Sequence, residues 1–262
     1  MPEGHTIRRL ALDQGELFGG APLAVSSPQG TFTGAHLVDG QVLLRTEAYG
    51  KHLFYVFPED RRVHVHLGLY GKYAVGTLPP PEPRGLIRMR LVGETHWADL
   101  RGPGACEVLD PAPVAELIAR QGPDPLRPDA DKEVAWARVH RTKSPVAGLL
   151  MDQAIFAGVG NVFRAEVLFR ARLGPYTPGR DVPRETFDAL WADLVKLMRA
   201  GVRANRIVTT RPEDRPRRNP IRIEDAHYVY RRTGLPCRLC GTPVAHAVLQ
   251  GRNLFWCPKD QR

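Results

Sequence analysis

Apolar and polar positions change rhythm several times along this chain. Over residues 5–18, Ile7, Leu10, Ala11, Leu17 and Phe18 recur at helical spacing, and Gly19-Gly20 ends the run, which predicts an amphipathic opening helix. From 21 to 109 the period shortens. Val42-Leu43-Leu44 and Leu53 to Phe57 flank Tyr49-Gly50-Lys51, which predicts a hairpin with its turn there. Val63-His64-Val65-His66-Leu67 alternates as a half-buried strand does, and Leu86 to Val92 alternates in its second half. These strands predict a β-sandwich with the first helix beside it. Residues 110–131 are rich in Pro and Asp and read as a linker with a short helix near 113–120. Beyond 132 the period is helical, over 134–140, 146–152, 162–172 and 185–203. The segment 206–227 holds Pro212, Pro216 and Pro220 among many charges and reads as an exposed loop. The fold class is therefore α+β. The expected divisions are 1–110 (β-sandwich), 111–131 (linker), 132–227 (helical) and 228–262 (a small cysteine module).

Charge narrows the class of partner. Among 262 residues, Lys and Arg number 37 and Asp and Glu 28, a net charge of +9. Basic side chains displace condensed counterions from nucleic acid, so this balance suits a polyanionic partner, although it also suits a merely soluble basic protein. No apolar run approaches 18 residues, which argues against a membrane-spanning helix. Met1-Pro2-Glu3-Gly4-His5 lacks the basic and apolar pattern of a secretion signal. A cytoplasmic, nucleoid-associated protein is expected.

Four local motifs carry chemistry. Cys237-x2-Cys240 is followed, after sixteen intervening residues, by Cys257 and then by Asp260, close to zinc-ribbon spacing. One structural zinc is expected. Asp260 fills the usual fourth knuckle position, and His246 is the alternative fourth ligand. Between the knuckles, 244–256 reads as a β-hairpin with Arg252 at its tip, where a guanidinium can grip phosphate. Gly158-Val159-Gly160-Asn161 joins two helices, so Asn161 caps or opens a helix whose N–H groups and dipole attract phosphate. His66-Leu67-Gly68-Leu69-Tyr70-Gly71 reads as a loop bearing apolar side chains, the kind of wedge that fills the hole left by a flipped base. Removal of Met1 exposes Pro2, a secondary amine able to condense with an aldehyde. Glu3 beside it can serve as acid or base.

In their joint order, PEGH, YGKH, HLGLYG, DLRGPG, LLMDQAIFAGVGNVFRAEVLF and CRLCG…GRNLFWCP resemble the formamidopyrimidine-DNA glycosylase/endonuclease VIII family, over essentially the whole chain. The resemblance implies a β-sandwich, a helix–two-turn–helix domain and a C-terminal zinc finger, with damaged double-stranded DNA held in the cleft between domains by a monomer. Single-stranded or bubble DNA stays open as a further partner, since the sequence does not tell whether it is favoured. It implies Pro2 as nucleophile, Glu3 as acid/base, and Lys51, His66, Asn161 and Arg252 as the phosphate clamp. Leu69 and Tyr70 would fill the gap, and Arg101 would face the orphaned base. The activity implied is that of a glycosylase and abasic-site lyase of base excision repair. Alternatives are a lesion-binding protein with a degenerate site and a purine-preferring glycosylase. Three departures matter: Thr6 replaces a second glutamate, Asp260 replaces a cysteine, and Gly102-Pro103 replaces a basic residue and a phenylalanine. Leu69-Tyr70 and the PEGH start resemble the endonuclease VIII branch, which acts on oxidised pyrimidines, and within it an actinobacterial-type subgroup.

Overall fold

The computed structural model describes residues 2–216 and 219–262; Met1, and Arg217 and Arg218 in the segment read as a loop, lie outside the described residues. Two compact units divide the chain, residues 1–120 and 121–262.

The first unit opens with α1 (Gly4–Phe18), whose Ile7, Ala11, Gln14 and Phe18 form its buried stripe. Eight strands follow: β1 (Ala24–Ser26), β2 (Arg45–Tyr49), β3 (His52–Val56), β4 (Arg62–His66), β5 (Lys72–Thr77), β6 (Ile87–Val92), β7 (His96–Arg101) and β8 (Ala105–Leu109). They form two antiparallel four-stranded sheets, in the orders β1-β6-β7-β5 and β2-β3-β4-β8. Val25, Met89, Leu91, Ala98 and Leu100 of one sheet share a core with Leu53, Tyr55, Val63 and Val65 of the other. This is the sandwich that alternation predicted, with the inward residues of both sheets meeting face to face. Helix α1 lies on β2 and β3. There the Thr46 hydroxyl donates to the Ala11 carbonyl and the Tyr55 hydroxyl to Gln14.

Two expectations fail here. The strand before the turn is Arg45–Tyr49, not Val42–Leu44: Leu43 is buried in the core, Leu44 is exposed, and only Val42 makes a bridge, to Pro22. β4 is buried on both faces at Val63, His64 and Val65, not half-buried, because His64 is covered on the side away from the core. Helix α2 (Pro111–Ala119) closes the unit.

The second unit is built around α3 (Lys132–His140), α4 (Val146–Leu149), α5 (Asn161–Arg170) and α6 (Arg184–Ala204), followed by the hairpin β9 (Ala245–Leu249) and β10 (Arg252–Trp256). The helix expected over 146–152 stops at Leu149, because residues 152–160 form turns instead. Asp152 accepts from the Ala154 N–H, and Gln153 donates to the carbonyls of Met151 and Val159 while accepting from the Gly158 N–H. Helix α5 is sandwiched between two cores. Phe163, Val167 and Leu168 face the helical core, while Ala165 and Phe169 face the core of the cysteine module. β10 is divided likewise, with Leu254 in the first core and Phe255 in the second. The segment 206–227 is not simply exposed: Thr209, Thr210, Asp225 and Ala226 are buried, and the Thr209 and Thr210 N–H groups donate to Ala226. Among the described residues, no helix is long and apolar enough to cross a membrane.

Candidate functional site

Pro2 and Glu3 stand at the N-terminal end of α1, with Glu3 as the capping residue, fully buried, its carbonyl accepting from Thr6 and Ile7. The dipole of a 15-residue helix makes this the electropositive end, which favours a carboxylate and disfavours an ammonium. Thr6 Oγ1 lies 3.3 Å from His5 Nε2. Burial, with the positive chain terminus second, pulls His5 down to about 4, so the imidazole beside Thr6 is neutral at pH 7. A neutral pair thus occupies the position where the resemblance led one to look for a second carboxylate.

The hairpin on which α1 rests carries Lys51 in its turn, between Tyr49 and His52, with Gly50 at φ 56°. The positive φ explains the glycine: a residue with a Cβ is strained there. His52 opens β3, and His66, which pairs with it, ends β4. Their rings are 5.2 Å apart. His66 is held below its ordinary value by burial and then by His64 and Lys51.

After His66 the chain turns through Gly68 (φ 64°), and the Gly71 N–H closes the loop on the Leu67 carbonyl at 2.9 Å. Leu69 and Tyr70 stand on this loop at 57% and 83% exposure. The pair therefore presents two exposed apolar side chains on a closed turn. Gly102 and Gly104 pack against the loop, close enough that a Cβ at 102 would meet the Tyr70 carbonyl at 3.4 Å. Arg101, at the end of β7, donates to Asp99 at 3.2 Å. Asp99 is fully buried and also holds Arg90 through two bonds of 2.7 and 2.9 Å. Asp99 therefore anchors Arg101 beside the Leu69-Tyr70 loop.

In the second unit, Gly160 is the capping residue of α5 and Asn161 its first helical residue, so Asn161 opens the helix without capping it. The Asn161 side-chain oxygen accepts from Arg164, whose guanidinium also donates to the Asn253 carbonyl at 2.6 Å. Arg164 is 1% exposed and ties Asn161 directly to β10, next to Arg252. Sequence reasoning missed it; its only signal was an arginine inside the apolar run VFRAEVLF. Arg252 is the first residue of β10, paired with Leu249 beside the two-residue turn Gln250-Gly251, so it flanks the tip. Arg164 and Arg252 line one polar depression with Ser144, Met151, Asp152 and Gln250. Glu166 was missed too. Its buried carboxylate accepts from the Thr209 hydroxyl and from the N–H groups of Tyr228, Val229 and Tyr230, fastening the cysteine module to α5.

In that module the donor atoms of Cys237, Cys240, Cys257 and Asp260 all lie within 4.8 Å of one another. Cys240 and Cys257 sulfurs are 3.5 Å apart, and Asp260 Oδ2 is 3.1 Å from Cys237 Sγ and 3.3 Å from Cys257 Sγ. Tetrahedral zinc with Zn–S near 2.3 Å needs S···S edges of about 3.8 Å, so the donor set fits zinc closely. Backbone N–H groups of Leu239 and Asp260 point at the sulfurs of Cys237 and Cys257, as they do around a thiolate-bound metal. His246 is corrected: it sits exposed on β9 and bonds Asn253 across the hairpin at 3.1 Å, outside this group.

Comparison with known proteins agrees with this geometry. Residues 1–106 match the formamidopyrimidine-DNA glycosylase N-terminal domain, 121–212 the formamidopyrimidine-DNA glycosylase H2TH domain, and 234–262 the zinc finger found in FPG and IleRS. Endonuclease 8 1 of Mycobacterium tuberculosis is 49% identical over 276 residues, covering 100% of both chains. Formamidopyrimidine-DNA glycosylase of Geobacillus kaustophilus is 31% identical, over 100% of this chain and 99% of its own. The fold superposes on Lactococcus lactis Fpg in complex with abasic-site DNA with a TM-score of 0.82 at 19% identity, covering 99% of each chain. The chain belongs to the formamidopyrimidine-DNA glycosylase/endonuclease 8 family of DNA glycosylase/abasic-site lyases.

Proposed function

We propose that this chain is a bifunctional DNA glycosylase and abasic-site lyase of base excision repair that removes oxidised bases, pyrimidines foremost. One observation carries the reading: an N-terminal Pro-Glu pair at the electropositive end of α1, seated on the hairpin that bears Lys51. With Met1 removed, the Pro2 amine attacks C1′ of the damaged nucleotide, the glycosidic bond breaks and the base departs. Ring opening leaves an iminium between Pro2 and the sugar. Loss of a C2′ proton expels the 3′ phosphate, and a second elimination expels the 5′ phosphate. Water then hydrolyses the iminium and frees the amine. Glu3, the carboxylate beside Pro2, serves as acid and base in these transfers. The Thr6–His5 pair offers no second carboxylate.

Lys51 and His66 in the first unit, and Asn161 and Arg252 in the second, are the phosphate ligands, and Leu69 and Tyr70 fill the vacated stack. Arg101, held by Asp99, faces the orphaned base. Clamped phosphates orient the sugar towards the amine, the proximity contribution to rate. Cys237, Cys240, Cys257 and Asp260 would hold one zinc, which supplies a structural crosslink between the two knuckles. The pyrimidine preference is supported by the 49% identity to an endonuclease 8 and by the Leu69-Tyr70 pair. Borohydride trapping on duplexes with an oxidised pyrimidine, an oxidised purine or an abasic site tests the proposal. A covalent adduct with incision at both flanks is expected. Binding without adduct or incision would make the chain a lesion-binding protein instead.

A further inference from the structure

On the outer face of β3, β4 and β8 lies a hydrogen-bonded chain that the proposed reaction does not use. Glu107 Oε1 is 3.0 Å from His64 Nδ1, and His64 Nε2 is 2.9 Å from His52 Nδ1. The strand registers explain the alignment. His64 pairs with Glu107 across β4–β8, His52 pairs with His66 across β3–β4, and His52 meets His64 on the diagonal of the same face. Phe54 stacks on His64 at 5.3 Å and is itself buried. The His64 side chain is 4% exposed, whereas that of Glu107 is 52% exposed.

Geometry dictates where the protons sit. The carboxylate oxygen of Glu107 accepts, so His64 Nδ1 carries a proton; burial holds the His64 ring below its ordinary value, and the neutral ring offers a lone pair at Nε2. That lone pair fixes the proton of His52 on Nδ1 and leaves a lone pair on His52 Nε2. Burial first, then His64, His66 and Lys51, pull His52 down to about 3, so it stays neutral at working pH. The residue so fixed is the first of β3, one step beyond Lys51, and its ring lies against that of His66.

We propose that Glu107, His64 and His52 are positioning residues: one carboxylate–imidazole–imidazole chain locks the His52 tautomer and thereby holds the Lys51 turn and the His66 ring in the geometry that receives DNA phosphates. The inference rests on the phosphate-binding role given to Lys51 and His66 above. None of the three is among the phosphate ligands proposed above. Its loss therefore weakens binding without removing a phosphate contact.

The test has two independent arms. Nitrogen-15 spectra of the imidazoles in the DNA-free protein should show His52 and His64 both protonated at Nδ1. Affinity for an abasic-site duplex should fall roughly fivefold in Glu107→Ala, the fold-change of one lost hydrogen bond. Glu107→Gln keeps an acceptor for Nδ1–H and should restore most of it. The salt slope should stay at the wild-type value in both, whereas Lys51→Met should make it shallower by about one unit. Glu107 is half exposed, so neither variant threatens folding; His64→Phe, which keeps the packing, is a third variant if it folds. An Nε2–H tautomer at either histidine overturns the chain, as does wild-type affinity in Glu107→Ala. A protein with the expected tautomers that binds no damaged duplex overturns the functional reading and the positioning role together.

Discussion

Glu166→Gln tests whether a single buried carboxylate holds the cysteine module to α5. One oxygen, Oε2, accepts from Tyr228 N–H at 2.7 Å and from the Thr209 hydroxyl; the other, Oε1, accepts from Val229 and Tyr230 N–H at 2.9 and 2.8 Å. An amide has one accepting oxygen. Placed on the Oε1 side it preserves two bonds and turns its NH2 group onto the Tyr228 N–H; placed on the other side it orphans two N–H groups. The first arrangement is therefore favoured. Thr209 loses little, because its hydroxyl already reaches the Ala226 carbonyl at 3.1 Å. The cost is then one buried donor without an acceptor plus a donor–donor clash, roughly 2–4 kcal/mol. Glu166→Ala orphans all three N–H groups and should cost more, in the range above about 4 kcal/mol that only broken buried networks reach. Denaturant titration of the metal-loaded protein measures both, and amide exchange at Tyr228, Val229 and Tyr230 locates the effect. A Glu166→Gln protein within about 0.5 kcal/mol of wild type, with those amides still protected, would refute the reasoning.

Four further expectations concern the rest of the molecule. Pro2→Gly keeps a terminal amine but a primary, more flexible one, so incision should slow with some borohydride adduct left; a terminus blocked by acetylation or retained Met1 should give neither, and full activity of a blocked protein would exclude Pro2 as nucleophile. Arg252→Ala should weaken duplex binding and make the salt slope shallower by about one unit; an unchanged slope means Arg252 touches no phosphate. The purified protein should carry one zinc, held less tightly in Asp260→Ala, barely altered in His246→Ala and more tightly in Asp260→Cys; equal affinities in the two alanine variants, by competition with a chromophoric chelator, would remove Asp260 from the site. His5 and His52 titrate near 6.5 when unfolded but at about 4 and about 3 when folded, so below pH 6.5 the unfolded chain binds more protons. The stability they contribute is full above 6.5 and is lost as pH falls, towards 4 for His5 and towards 3 for His52, by up to about 1.4 kcal/mol per pH unit for each. Denaturation midpoints that stay flat between pH 7 and 5 would contradict this.

Much of the architecture was legible because it rests on local signals. The period-two runs gave the sandwich, the apolar stripe of α1 its helix, and the knuckle spacing the cysteine cluster. What sequence hid is chemistry that runs against its surroundings. Arg164 and Glu166 sit inside an apolar helix, and a charge in such a run gives no hint of its distant partners, among them the Asn253 carbonyl 89 residues from Arg164 and the Tyr228 and Tyr230 N–H groups 62 and 64 residues from Glu166. Helix 146–152 was overextended because Met151 and Asp152 suit a helix, whereas Asp152 and Gln153 bond locally and turn the chain. His246 was a fair ligand by type, but a residue on β9 bonded across the hairpin to Asn253 is spent. Val63 to Leu67 reads as half-buried because alternation cannot reveal that His64, on the far face, is buried against Phe54 and His52.

The two-residue turn between β9 and β10 has a consequence for how this hairpin can vary in length. Gln250 and Gly251, at φ 50° and 71°, are the left-handed pair of a tight hairpin, and they set Arg252 opposite Leu249. β10 is a partition with different rooms on its two sides: Leu254 belongs to one and Phe255 to the other. An insertion or deletion of a single residue at the turn would shift the strand by one and exchange those side chains. A deletion would bring Phe255 into the helical room, and an insertion would put Leu254 in the place of Phe255 and leave the cysteine room with a hole. Natural indels here should therefore come in twos, and a single-residue change should survive only with compensating exchanges at both 254 and 255.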